Sequence, residues 1–225
     1  MLLILNLIVD EQARKYFDEE LAKRIIGDTD VEYKIDYLGK PDLDLSEFTH
    51  LLITGSELSA SQENDIDERL YSVIEHFVQN GKRVLGICYG YQMLAKFLFG
   101  KGACRRAEKP EFGWKKMRIV ANPLFEGISE NIFLESRYDE VCCIESNSKI
   151  IASNESCAVQ AFQYKNKPIW GVQFHPEFLY EDGSKMVENH LIDNPKDREF
   201  YANELVNSES LEQNLRIFKN FLREK

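Results

Sequence analysis

Residues 83–99 read RVLGICYGYQMLAKFLF. The opening RVLGI has the makeup of a strand buried on both faces, and YGYQMLAKFLF that of a helix. Cys88 falls where one hands over to the other, with Gly86 and Gly90 two places away on either side. Two readings of this cysteine compete. It is either a small core residue, the usual fate of a free cysteine, or a nucleophile on a sharp strand-to-helix turn whose glycines make the room. In the second reading the sulfur lies over the helix N-terminus, where unpaired N–H groups and the dipole favour a thiolate. Gln92, four residues on, projects from the same helical face.

Outward from this stretch the pattern repeats. LLILNLIV (2–9) is a continuous apolar run, and residues 11–26 are helix-favouring with Ala13, Phe17, Leu21 and Ile25 at four-residue steps, closed by Gly27. VEYKIDYL (31–38) and HLLITG (50–55) read as strands. Between 63 and 80, Ile66, Leu70, Val73, Ile74, Phe77 and Val78 share one helical face. Strands alternating with helices in this way predict an α/β fold, a mostly parallel sheet flanked by helices.

Beyond residue 114 the chain changes character. KKMRIV, NIFLES, VCCIES, KIIASN, AVQAFQY and PIWGVQF read as short strands, an antiparallel or mixed extension of the sheet. The polar, acidic stretch 181–210 reads as a surface insertion with some helix. SLEQNLRIFKNFLREK then closes the chain as an amphipathic helix with Leu215, Phe218, Phe221 and Leu222 inward. With no internal repeat and no clear linker, residues 1–225 are expected to form a single domain.

Bulk properties narrow the function. A formal charge of −10 argues against a non-specific grip on nucleic acid or an anionic membrane. Five cysteines, no CxxC and no Cys/His zinc spacing give no ground for a disulfide framework, a metal or another cofactor, and point to a reducing, cytoplasmic setting. The start, MLLILNLIVDEQ, lacks a basic region and a cleavage site and is too short to span a bilayer, so it reads as the first strand.

A thiolate needs a base, and the base an orienting group. Of four histidines, His76 and His190 read as surface or packing residues, and His50 has no evident partner. His175 differs: it follows a buried strand in WGVQFHPEF, with Pro176 stiffening the chain and Glu177 two residues away. A carboxylate there can hold one ring nitrogen and leave the other for the sulfur.

GICYGYQ together with GVQFHPE, in that order and each at a strand end, resembles the class I glutamine amidotransferases of the Cys-His-Glu type. PEFGW (110–114) and SRYDEV (136–141) are similar to stretches of the GMP synthetase-like branch. The resemblance spans nearly the whole chain and weakens between about 180 and 210. It implies glutamine hydrolysis through a γ-glutamyl thioester on Cys88, with His175 as acid and base and Glu177 orienting it. It further implies backbone oxyanion donors at Tyr89 and at Gly55 or Ser56. Gln92, Arg137, Tyr138, Asp139 and Glu140 would hold the amino-acid end of the substrate.

Three departures stand out. Gly55-Ser56-Glu57 replaces Gly-Gly-Pro, and serine tolerates positive φ less well than glycine, so a partner or ligand is expected to complete the oxyanion hole. Arg137 replaces a histidine. The 181–210 stretch is unusual, either a lid, a docking surface or an inert excursion. No synthetase domain follows within the 225 residues, so the resemblance implies either ammonia passed to a separate synthetase or acceptor protein, or a different substrate, a γ-glutamyl peptide or amide. The rival of another class is a non-catalytic regulatory binding protein that retains the fold.

Overall fold

Why the chain can bring Cys88 and His175 together is clear from strand order. The computed structural model describes residues 1–38, 43–205 and 207–223. Its larger sheet has the order β2-β1-β3-β4-β10-β9-β8-β6. Strands β1 (Leu2–Leu5), β2 (Tyr33–Asp36), β3 (His50–Ile53), β4 (Arg83–Ile87) and β10 (Ile169–Val172) are mutually parallel. Strands β6 (Arg118–Ile119), β8 (Lys149–Ser153) and β9 (Ala161–Gln163) extend the sheet antiparallel. The expected mixed architecture is therefore present.

The central strands are apolar on both faces because helices cover both. On one side pack α3 (Asp67–Gln79) and α4 (Tyr89–Phe99), with Leu70, Ile74, Phe77 and Leu94 fully enclosed among Leu3, Leu51, Ile53 and Val84. On the other lie the N-terminal helix and α6 (Arg216–Leu222), whose Phe17, Leu21, Phe218 and Phe221 meet Leu2, Ile4, Leu85 and Phe174. The N-terminal helix runs through α1 (Glu11–Tyr16), a π-helical turn (Phe17–Leu21) and α2 (Ala22–Ile26). A π turn inside an α-helix re-aims side chains locally and is common near functional sites.

A second, three-stranded sheet has the order β11-β5-β7. Here β5 (Cys104–Lys116) runs antiparallel to β7 (Ile132–Val141), and β11 (Tyr201–Asn203) joins β5 in parallel. Much of β5 escapes a sequence reading because its first half is charged and Pro110 sits at a shift of register between Arg106 and Glu111. VCCIES is not a strand: β7 ends at Val141, and the Cys142 amide turns to the Ala103 carbonyl at 2.9 Å. The closing segment is helical only over Arg216–Leu222, preceded by 3₁₀ turns at Ser208–Leu215.

The stretch read as a surface insertion carries structure of its own. Helix α5 (Tyr180–Asp193) buries Gly183, Val187 and Leu191 at four-residue spacing. They pack on Phe112, Trp114 and Leu134 of the second sheet, and each buried aliphatic side chain contributes about 1.5–3 kcal/mol. Glu181, Glu188 and Asp193 lie on the outer face, so composition alone hid the inner one. Among the described residues no helix is long and apolar enough to cross a membrane.

Candidate active site

Three neighbouring strand ends converge. In register, Gly86 of β4 lies between Ile53 of β3 and Gly171 of β10. The residues that follow these strands, Gly55, Cys88 and His175, therefore meet beyond the carboxyl edge, where ligands bind in open α/β sheets.

Cys88 takes φ 49° and ψ −110°, one of four non-glycine residues at positive φ among the described residues. Its amide is held by the Val172 carbonyl at 2.9 Å, and its carbonyl accepts from the Gln92 amide at 3.0 Å. The flanking glycines are spatial necessities. A Cβ at Gly86 would stand 2.6 Å from the Gly90 carbonyl oxygen, and one at Gly90 2.4 Å from that of Ile53. Such strain persists only where surrounding structure enforces it, and it concentrates at functional sites.

His175 is fixed from two directions. Its amide donates to the Leu134 carbonyl of β7 at 2.9 Å, and its Nδ1 meets Glu177 Oε1 at 2.7 Å. Cys88, His175 and Glu177 are all buried. Burial opposes charge on the imidazole, but the Glu177 carboxylate and then Cys88 outweigh it and hold His175 well above the ordinary imidazole range. The ring thus lies between a carboxylate and a sulfur, both of which favour its protonated form. Arg24 reaches in from α2, donating from Nη1 to the Glu177 carbonyl at 2.9 Å and to Asp182 Oδ2 at 2.5 Å.

The loop after β3 lies directly against this pair. A Cβ at Gly55 would be 3.0 Å from His175 Cε1 and 3.9 Å from Cys88 Sγ. Neither Gly55 nor Ser56 is at positive φ. Serine at 56 therefore imposes no left-handed strain, and the departure from Gly-Gly-Pro has a visible compensation. Glu57 accepts from the Val9 amide at 2.7 Å and the Asp10 amide at 3.3 Å, tying the loop to the β1–α1 connection.

At the other end, Gln92 Nε2 donates to the Asp139 carbonyl at 3.1 Å and to Gln173 Oε1 at 2.9 Å, so it braces β7 against α4. The Asp139 carboxylate is turned to Ser59 Oγ at 2.6 Å and to the Ser61 amide at 3.1 Å. Tyr138 lies on the cavity wall under the Arg106 guanidinium, its hydroxyl bonded to Asp197 and its ring edge-on to Phe112. The Tyr89 ring is buried with its hydroxyl near Asn64 and is not part of the cavity lining.

Two sequence candidates have side chains committed elsewhere. Arg137 is fully enclosed and paired with Glu111, with Glu135 at 3.9 Å. Glu140 pairs with Arg105 at 2.9 Å and is not among the residues lining the cavity. Arg137 still lines the cavity, but its guanidinium is taken up by Glu111 of β5. His190, read as a surface or packing residue, lines the cavity, stacks on Phe112 at 4.5 Å and bonds Asp197 at 2.8 Å. His50 is buried, and desolvation pushes its imidazole down to about 4.

The family model for "Glutamine amidotransferase class-I" matches residues 18–194. The chain belongs to the class I glutamine amidotransferases. The resemblance carried by GICYGYQ and GVQFHPE therefore holds. Among relatives of this amidotransferase domain is a glutamine-hydrolyzing GMP synthase subunit of Pyrococcus furiosus, 37% identical over 120 residues, 52% of this chain and 63% of that protein. The glutamine-hydrolyzing GMP synthase of Caldicellulosiruptor saccharolyticus is 36% identical over 147 residues, 63% of this chain and 27% of that protein. In both, the matched stretch is less than two thirds of the relative's length. Of solved structures, a putative GMP synthase subunit from Thermoplasma acidophilum superposes with TM-score 0.65 at 25% identity, covering 88% of this chain and 95% of that one. A glutamine amidotransferase from Thermotoga maritima gives TM-score 0.69 at 20% identity over 98% and 94%, a likeness of fold.

Proposed function

We propose that Cys88, His175 and Glu177 form the catalytic triad of a cysteine amidohydrolase that releases ammonia from glutamine. The observation that carries this is the buried 2.7 Å contact of His175 with Glu177 beside a cysteine at φ 49°. Cys88 Sγ attacks the side-chain amide carbon, and charge moves onto the carbonyl oxygen. Backbone N–H groups at Tyr89 and at Gly55 or Ser56 face that oxygen, as an oxyanion requires. His175 gives its proton to the nitrogen, the C–N bond breaks, and ammonia leaves a γ-glutamyl thioester. His175 then takes a proton from water, which attacks the thioester to release glutamate and restore the sulfur. Gln92, the main chain at Asp139 and the Tyr138 wall hold the amino-acid end.

The named relatives that are glutamine-hydrolyzing GMP synthases and their subunits support a synthetase-type protein as the acceptor of the ammonia. The odd cysteine count supports a reducing, cytoplasmic setting. The test is glutamate and ammonia release from glutamine by the wild-type chain and by Cys88→Ala. Release by the first alone is the expected result. Equal release by both sinks the mechanism, and binding without turnover by either returns the non-catalytic reading.

A further inference from the structure

Glutamine brings an α-carboxylate to the site, and an anion drawn out of water without a partner is costly. Two elements leading away from Cys88 fix where that charge falls. Cys88 Sγ lies 3.9 Å from the Ser136 carbonyl oxygen of β7, and Asp139 is three residues, about 10 Å, further along the strand. Gln92, four residues and about 6 Å along α4 from the same cysteine, reaches the Asp139 carbonyl at 3.1 Å. Attack begins with the amide carbon about 3–3.5 Å from the sulfur, and four bonds, about 5 Å, separate that carbon from the carboxylate carbon. Laid along β7 and α4, glutamine therefore carries its carboxylate to the Tyr138–Asp139 wall, about 8 Å from the sulfur.

Besides His175, the basic side chains lining the cavity are Arg106, Arg137, Lys185 and His190. Arg137 is enclosed and held by Glu111, and His190 is stacked on Phe112 and bonded to Asp197. Lys185 belongs to α5 and makes no hydrogen bond or ion pair with Tyr138 or Asp139. Arg106 is placed differently. It stands opposite Asp139 in the register of β5 and β7, and its guanidinium lies 4.2 Å from the centre of the Tyr138 ring. Such stacking on an aromatic face holds the planar fork in place. Its bond to Asp139 Oδ1 is long, 3.5 Å, and that carboxylate already accepts from Ser59 Oγ, the Ser61 amide and Ser61 Oγ at 2.6, 3.1 and 3.1 Å. A guanidinium has five N–H donors. Arg106, exposed on the cavity wall, commits one of them, and weakly.

We propose that Arg106 pairs with the α-carboxylate of glutamine and so sets the preference for a substrate with a free carboxylate. The inference rests on the triad reading, which seats the amino-acid end at Gln92 and Asp139. It gives to β5 the role that Arg137, consumed by Glu111, does not fill.

The test compares L-glutamine with L-glutaminamide, in which a neutral amide of the same size replaces the α-carboxylate. The wild-type kcat/KM should favour glutamine by about tenfold or more, as a site built for a charged partner requires. Arg106→Gln should raise KM for glutamine about tenfold or more, keep kcat within about twofold and leave glutaminamide unchanged. Arg106→Lys keeps the charge, loses the fork and should fall between. Lys185→Gln should leave the ratio of the two substrates as it is. Where the chain turns over neither, the concentrations of each that protect Cys88 from iodoacetamide give the same ratio. Equal losses on both ligands in Arg106→Gln, an unchanged ratio, a ratio abolished by Lys185→Gln, or protection by neither ligand each overturn the proposal. Glutamine hydrolysis by Cys88→Ala at the wild-type rate marks failure of the triad reading itself, whatever the ratio.

Discussion

Gly55 lies so close to His175 that a Cβ placed on it would stand 3.0 Å from the ring's Cε1. That separation is tighter than ordinary van der Waals contact, and neither neighbour is a flexible side-chain end. Gly55→Ala should therefore move the imidazole without unfolding the domain. Glutamine hydrolysis should drop by about 100-fold or more, the usual cost of misplacing a reacting group by an ångström. Thermal unfolding and kcat on glutamine, measured together, check this. An unaltered kcat would show that the loop after β3 does not constrain His175.

Glu177→Gln keeps the shape and removes the charge that raises the proton affinity of the imidazole. His175 then loses its proton at a lower pH, because the carboxylate that outweighed burial is gone. The alkaline limb of the kcat/KM profile should move toward lower pH. The rate should fall by about 10²–10³-fold, less than in Cys88→Ala, since the variant disturbs the base rather than the attack. A pH–rate profile superimposable on wild type would remove Glu177 from its role.

Beneath the site, one cation faces two carboxylates. Arg137 pairs with Glu111, whose carboxylate also accepts from Asn154 and Gln160 at 2.6 and 2.7 Å, while neither oxygen of Glu135 has a hydrogen-bond partner among the described residues. Burial and then the Glu111 charge push Glu135 up to about 8, against the pull of Arg137. The folded pKa is above the unfolded value, so this group's contribution is full below about 4.5 and is lost as pH rises through about 8. Glu135→Gln should flatten the fall in stability between pH 5 and 8.5 and gain at least about 1 kcal/mol at the upper end. Urea unfolding at the two pH values measures it. A variant no more stable at pH 8.5 would mean that Glu135 is not a buried, proton-bearing carboxyl.

How much of this was legible follows from the range of each contact. The Cys88 elbow and the His175–Glu177 pair were readable because each is local, a glycine-flanked turn and an i, i+2 pair at a strand end. That the Arg137 guanidinium is paired was not readable in the sequence. Its partner Glu111 lies on β5, across a register shift that charged residues and Pro110 conceal. Helix α5 was read as insertion because its exposed Glu181, Glu188 and Asp193 mask the buried set Gly183, Val187 and Leu191. Glu57 was read only as part of the departure from Gly-Gly-Pro. Its value depends on two amides of the β1–α1 connection, which no local pattern announces.

That connection gives a further prediction. Glu57→Ala frees the loop that carries the proposed oxyanion donors. The kcat on glutamine should fall by about tenfold or more while KM changes little, because the donors act on charge that develops during reaction. A change confined to KM would place Glu57 in binding instead.

Asp182 joins α5 to the N-terminal helix through Tyr16 and Arg24, with both carboxylate oxygens engaged. Asp182→Ala should cost about 1–2 kcal/mol of stability, a charge-assisted bond at partial exposure. It should also increase proteolysis within 180–203. Undiminished stability would show that the closure over the site does not depend on this contact.

The central claim is a covalent γ-glutamyl intermediate on Cys88. Intact-mass and peptide mapping of the chain after exposure to an electrophilic diazoketone analogue of glutamine tests it most directly. The account predicts a single adduct on Cys88, slowed by glutamine and absent in Cys88→Ala. Labelling of Cys142 or Cys143 instead, or hydrolysis of glutamine by a chain whose Cys88 stays unmodified, would contradict it.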